Sequence, residues 1–255
     1  MEAEVRRAGG MPATTGVLGG VIRLGMTSDE LEAMALDPGA VKVSRRDLAP
    51  TRIEGLSGGT TVSAAIFIAA AAGVRLLATG GIGGVHRGTA GDVSADLPEL
   101  ARTAMGVVCS GAKAILDLPR TLEWLETAAI PVVGYQTRDY PAFYTQGSGL
   151  PVSASVDTPA EAARLLRSHW ELGPASSVLI CVPCPESDAL AKDEVEHALS
   201  QAEREAEAQR VRGPALSPFL LSRLAELTSG RALKANLALL RNNARVAGEI
   251  AVALS

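Results

Sequence analysis

The chain has 255 residues, an apolar fraction of 47%, a charged fraction of 20% and a formal net charge of −4. That composition is globular, and it lacks the basic excess that would recruit nucleic acid or an anionic membrane surface. Three cysteines are too few and odd in number for a disulfide scaffold. The longest apolar stretch, Val62 to Val74, is too short to span a bilayer. No charged leader precedes an apolar segment, so a cytoplasmic protein is expected.

Taken in order, Met1 to Ala8 reads as a short helix, and Thr27 with Glu30 has capping-box spacing for a helix through Leu36. Val41 to Val43 is extended. Thr61 to Ala72 is apolar nearly all round and predicts a buried helix. Val74 to Thr79 and Met105 to Cys109 read as strands, the second turning at Ser110 into a helical stretch. Thr121 to Ala128 is helical and Pro131 to Thr137 is strand. Thr158-Pro159-Ala160-Glu161 combines cap, first-turn proline and capping box, opening a helix to Leu172. Val178 to Val182 is a further buried strand, and from about Ala189 the chain is helical with breaks near Gly213-Pro214 and Gly230. Strands alternating with helices predict a layered α/β fold with a largely parallel sheet in a single domain, residues 1–255. Ligands of such folds collect beyond the carboxyl ends of the strands. The segments 80–84, 110–113 and 136–144 therefore form one candidate rim.

The chain holds twenty Arg and only four Lys: Lys42, Lys113, Lys192 and Lys234. Arginine cannot lose its proton to become an amine nucleophile, so each lysine raises the question of a required amine. Lys113 follows a buried strand and three small residues, which leave room for a ligand and for the desolvation that lowers an amine pKa; a surface lysine is the plain alternative. Lys42 is flanked by Arg45-Arg46, a cationic pair suited to an anionic substrate or a solvated basic turn. The glycine loop Thr79 to Gly88 offers backbone N–H groups to a phosphate, with His86 or Arg87 alongside, but it matches neither the dinucleotide fingerprint nor a P-loop. Asp92-Val93-Ser94-Ala95-Asp96 places two carboxylates near each other, enough for Mg²⁺ or Mn²⁺, although spacing alone favours an N-cap for a helix from Leu97. Cys181 and Cys184 have C-x-x-C spacing without a second pair and read as buried apolar thiols. His169 and His197 read as structural. The aromatics between Tyr135 and Tyr144 suit either base stacking or loop packing.

In order, Val41 to Leu48, Gly59 to Val62, Ala78 to Gly88, Asp92 to Leu97, Val108 to Asp117, Pro131 to Phe143, Pro214 to Leu227 and Leu233 to Asn236 resemble the pseudouridine-5′-phosphate glycosidases, a family that includes the protein encoded in indigoidine clusters. The resemblance implies a three-layer α/β/α sandwich with a mostly parallel or mixed central sheet, assembled as a homotrimer. The implied activity is that of a lyase reversibly cleaving pseudouridine 5′-phosphate to uracil and ribose 5-phosphate, with C-glycoside synthesis or sugar-phosphate binding alone as alternatives. It further implies that Lys113 is the Schiff-base nucleophile and that Asp92 binds Mn²⁺. Lys42, Val62, Ser94, Ala95, Asp96 and Asn236 are the implied substrate contacts, with Thr79 and His86 in the matching glycine loop. The family's general acid/base Glu lies in a segment upstream of the position matching Met1. Glu2 and Glu4 align with the helix after it and do not take its role.

Overall fold

The computed structural model describes residues 1–88 and 91–255, Pro214 by its backbone only. Helix α1 (Glu2–Arg7) is followed by a hairpin, β1 (Thr15–Leu18) and β2 (Val21–Leu24), then α2 (Ser28–Leu36), β3 (Val41–Val43), α3 (Leu48–Ile53), β4 (Gly58–Thr60) and α4 (Val62–Ala71). Next come β5 (Leu76–Ala78), β6 (Val85–His86), α5 (Asp96–Arg102), β7 (Gly106–Cys109), β8 (Leu116–Asp117), α6 (Leu118–Thr127), β9 (Val132–Tyr135) and β10 (Ala154–Val156). The chain ends with α7 (Pro159–Leu172), β11 (Val178–Cys181), α8 (Lys192–Ala208), α9 (Leu216–Leu227) and α10 (Arg231–Leu254).

Five strands form a parallel sheet in the order β10-β9-β11-β7-β5. Its three inner strands, β9, β11 and β7, are buried along their whole length with no polar side chain but the Tyr135 hydroxyl and the thiols of Cys109 and Cys181, as a sheet covered on both sides requires. Val107, Val132 and Leu179 point into a cluster with Ile66 of α4, Leu97 and Leu100 of α5 and Leu125 of α6. Their sequence neighbours Val108, Val133 and Ile180 point the other way, against Leu166 of α7 and Val246 and Ile250 of α10. The period of two thus builds the expected three-layer α/β/α arrangement, and burying each such aliphatic side chain contributes about 1.5–3 kcal/mol. A second sheet, β2-β1-β4-β3, is mixed: β1 pairs antiparallel with β2 and β4, and β3 runs parallel to β4.

The caps work as the sequence suggests. Thr27 and Thr158 each close a complete capping box, and Pro159 occupies the first turn of α7. The expected helix after Ser110 does not form. Gly111 takes a left-handed φ of 78°, and the N–H of Lys113 donates to the Ile82 carbonyl at 3.1 Å instead of entering a helix. Helix α6 starts only at Leu118, where the Asp117 side chain accepts from the Arg120 N–H at 3.0 Å.

Candidate active site

The ladder between β5 and β7 does not stop where the strands do. Thr79 N–H donates to Val108 O at 2.9 Å, Ser110 N–H to Gly80 O at 2.8 Å, Ile82 N–H to Gly111 O at 3.0 Å and Lys113 N–H to Ile82 O at 3.1 Å. The glycine loop and the lysine loop therefore leave the sheet zipped together. A third loop joins them: the Tyr140 hydroxyl accepts from the Ala112 N–H at 2.7 Å, and Phe143 N–H donates to Ser110 O at 3.1 Å. A side chain at Gly111 would strike the Pro141 carbonyl and the Tyr140 ring, so close approach as well as φ demands glycine there. Phe143 itself is held at φ 63°, with its ring edge-on to Tyr144 at 4.7 Å between centroids. A non-glycine residue in that conformation is strained and persists because the loop is over-determined.

Beyond this rim lies a groove of about 1290 Å³. Lys113 lines it together with Val62, Thr79, Asn236, Phe143 and Tyr144, while its far end runs along β5 toward Trp170. Burial is the largest influence on the Lys113 amine and pushes its pKa below that of an ordinary lysine. Asp96 pulls it back up, and Lys42 lowers it further. A greater share of that amine is consequently neutral and nucleophilic at a given pH.

The other implied residues occupy two positions around it. Lys42 is exposed on β3, its register partner being Gly59, just before the turn that starts α4. That turn, Thr60 to Val62, faces the groove, and the N-terminus of α4 favours negative charge there. His86, Asp92, Ser94 and Ala95 lie on the outer side of the glycine loop, outside the groove lining. There His86 N–H donates to Asp92 O at 2.9 Å and Ser94 N–H to Gly84 O at 3.0 Å. Asp96 is buried, and both its carboxylate oxygens are engaged, accepting from Ser63 N–H at 2.9 Å and Gly83 N–H at 2.8 Å. It ties the glycine loop to the first turn of α4. The N-cap that spacing suggested for a helix from Leu97 does not form: that helix begins at Asp96 with Ala95 as its N-cap and no side-chain cap, and the Asp96 carboxylate turns instead to a first-turn amide of α4, whose own N-cap is Thr61.

Among the described residues no group of three or more His, Cys, Asp or Glu side chains converges to hold a metal. Asp96 is occupied by amides, which leaves the exposed carboxylate of Asp92. One carboxylate fits a hard cation that keeps most of its waters, and does not fit a closed cage.

Two arginines expected near the substrate are engaged elsewhere. Arg87 donates to Leu116 O at 3.2 Å, to Ala114 O at 3.3 Å and to both oxygens of Glu196 at 3.0 and 3.1 Å. Arg45 pairs with the buried carboxylate of Glu99 at 2.8 Å and stacks over Phe67. Tyr140 is fully buried and packs the loop, while Phe143 and Tyr144 face the groove. Burial raises the Tyr144 hydroxyl to about 12, so it stays protonated. Cys181 and Cys184 are buried free thiols, and His169 bonds the Ser176 carbonyl at 2.8 Å, both as structural readings require.

Residues 1–253 match the family described as indigoidine synthase A like protein. The chain is 52% identical over 261 residues to a pseudouridine-5′-phosphate glycosidase of Chloroflexus aurantiacus, covering all of this chain and 86% of that protein. It is 49% identical to the pseudouridine-5′-phosphate glycosidase of Caldanaerobacter subterraneus subsp. tengcongensis, covering all of this chain and 84% of that one. Among solved structures, it superimposes on the prealnumycin C-glycosynthase in complex with ribulose 5-phosphate with a TM-score of 0.92 at 40% identity, over 99% of this chain and 84% of that one. An indigoidine synthase A-like protein of Thermotoga maritima gives 0.91 at 41% identity, over 98% and 84%.

Proposed function

The chain belongs to the indigoidine synthase A-like family, and from that premise we propose that it is a pseudouridine-5′-phosphate glycosidase, a lyase that reversibly separates uracil from ribose 5-phosphate. The observation that carries this reading is Lys113, a desolvated amine on the groove lining whose backbone is bonded to the glycine loop, in a chain about half identical to enzymes of that name.

A carbon–carbon glycosidic bond offers no alkoxide leaving group, so the sugar carbon must carry an electron donor able to expel the uracil carbon, and an amine nitrogen bonded to C1′ supplies that lone pair. In the proposed sequence the Lys113 amine attacks C1′. The N–C1′ bond forms, the C1′–O4′ bond breaks, and a proton moves from nitrogen to O4′, opening the ring. The nitrogen lone pair then forms C=N while the C1′–C5 bonding pair departs with uracil, and C5 takes a proton. Water adds to the iminium, releasing the amine, ribose 5-phosphate and the proton supplied to C5. Lys42, on β3 beside the turn into α4, and the first turn of α4 would attract the phosphate, and Val62 and Asn236, both lining the groove, would meet the sugar. Thr79, His86, Ser94, Ala95 and Asp96 shape the glycine-loop side, Asp96 through the backbone it holds. Asp92 would hold a largely hydrated Mn²⁺, which when bound supplies positive charge on that side of the site. The proposal extends to a homotrimer in the cytoplasm. Exposed Val21 and Ile22 on β2 support a subunit interface, and three unpaired thiols support a reducing compartment.

C-glycoside synthesis is the second reading, favoured by the likeness to the C-glycosynthase structure. It uses the same amine with another aromatic carbon nucleophile, and comparing uracil with bulkier aromatic acceptors separates the two. The shared step is tested by borohydride reduction with ribose 5-phosphate followed by mass spectrometry. An adduct on Lys113, absent from Lys113→Arg, together with uracil release from pseudouridine 5′-phosphate, is the expected result. An adduct on another lysine, or one that survives in Lys113→Arg, overturns the assignment.

A further inference from the structure

Helix α10 presents an apolar stripe to the sheet, Leu239, Val246 and Ile250, all fully buried. Asn243 sits within that stripe and is equally buried, at 0% exposure. A buried amide is costly unless its donors and acceptor all find partners, and packing alone would place an aliphatic residue here. Its partners explain the exception. The Asn243 amide nitrogen donates to Thr79 O at 2.9 Å and to Gly80 O at 3.3 Å, and lies 3.1 Å from the Ser110 hydroxyl. The Ser110 hydroxyl in turn donates to the Asn243 amide oxygen at 3.2 Å. Thr79-Gly80 is where β5 gives way to the glycine loop, and Ser110 is where β7 gives way to the lysine loop. One side chain therefore grips the origins of both loops, three residues before Lys113.

We propose that Asn243 is a positioning residue for the reaction, acting on Lys113 through the main chain of Thr79 and Gly80 and through Ser110. The inference rests on the reading of Lys113 as the imine-forming amine. Geometry is the lever: the two loops are rigidly zipped to each other, so a shift at their common origin is carried to the amine. Misplacing a reacting group by about 1 Å costs on the order of 100-fold in rate. Without the amide, the Thr79 carbonyl loses this donor and the Gly80 carbonyl keeps only the Ser110 N–H, so the tie between α10 and the two loop origins is lost.

The test compares the parent with Asn243→Leu, which keeps approximate volume and removes all polar partners, and with Asn243→Asp, which keeps an acceptor for Ser110 but no donor. Asn242→Ala is the control; its side chain donates to Pro183 O, outside the site. Steady-state kcat and KM, and the rate of borohydride-trapped adduct formation at Lys113, are measured per folded molecule, with thermal melting alongside. The expected result is that kcat and adduct formation fall together by about 10- to 100-fold in both Asn243 variants, with KM little changed and the control like the parent. A folded variant that keeps the parental kcat and trapping rate overturns the proposal, as does a loss of activity that only tracks the loss of folded protein. Should Asn243→Leu fail to fold, Asn243→Asp, which also lacks the donor to Thr79 O and Gly80 O, carries the test, and an unchanged trapping rate there is equally fatal. Absence of an adduct in the parent overturns the reading of Lys113 itself, and with it this inference. Adduct formation that is equal in parent and variants overturns this inference alone.

Discussion

The middles of β7 and β11 and the loops that leave β5 and β7 obey different rules. In the strands, Val107, Val108, Leu179 and Ile180 are fully buried with apolar side chains on both faces. In the loops a few residues further on, position is dictated by polar groups: Tyr140 on Ala112, Asp96 on Gly83, Arg87 on Ala114 and Leu116. Stability is concentrated in the first region, where area removed from water dominates, and chemistry in the second, where direction dominates. Substitutions should therefore separate into those that lower melting and leave turnover per folded molecule alone, and those that do the reverse.

The largest expected effect on stability is Ile180→Ala, which empties part of a fully buried site and should cost about 2–5 kcal/mol. Denaturant unfolding measures the loss, and kcat per folded molecule should stay at the parental value; a large fall in kcat would blur the division. Tyr140→Phe stands on the boundary. It leaves the buried Ala112 N–H without its acceptor, so a cost of about 1–3 kcal/mol is expected along with slower adduct formation at Lys113. Lys113→Met should abolish the adduct and make the protein more stable at neutral pH. Burial holds the amine pKa below its unfolded value, so the folded state binds the proton less well than the unfolded chain. That penalty is fully present below the depressed folded pKa and disappears as pH rises past the unfolded one. The gain in melting temperature should thus shrink toward alkaline pH, and a gain independent of pH would refute this cause. Asp92→Asn comes last: exposed, it should alter stability by less than about 0.5 kcal/mol while weakening any activation by Mn²⁺, which a titration of activity against the ion reads directly.

The layered sheet was legible because its strands are continuous apolar runs and its helices carry strong local caps, as at Thr27 and Thr158. The sheltered position of Lys113 in the groove lining was legible from the small residues before it. The second sheet was not anticipated, although Gly19-Gly20 between two aliphatic pairs is a hairpin signal, and both glycines have positive φ. Residues 110–117 misled because helix propensity there is overridden by bonds to residues distant in the chain, such as Lys113 to Ile82. The roles of Arg45 and Arg87 were hidden for the same reason, since nothing in sequence reveals a carboxylate such as Glu196 waiting 109 residues away. Asn243 did leave a trace: a polar residue at a core position of an otherwise apolar helical stripe.

The buried thiols give the molecule a built-in stopwatch. Cys109 and Cys181 are register partners on adjacent strands, and Cys184 lies just past the sheet with its thiol 3.9 Å from Ala235 O. Burial raises Cys184 to about 11, and the hydrogen bond with the neighbouring Cys109 thiol, with burial behind it, pushes Cys181 well above a normal thiol. Thiolate is therefore scarce in the folded state, and an alkylating reagent must wait for the protein to open. Label at Cys184 would time the loosening of α10 from the rim, and label at Cys109 and Cys181 the parting of the central strands, so that one reagent and one mass spectrum clock both events separately.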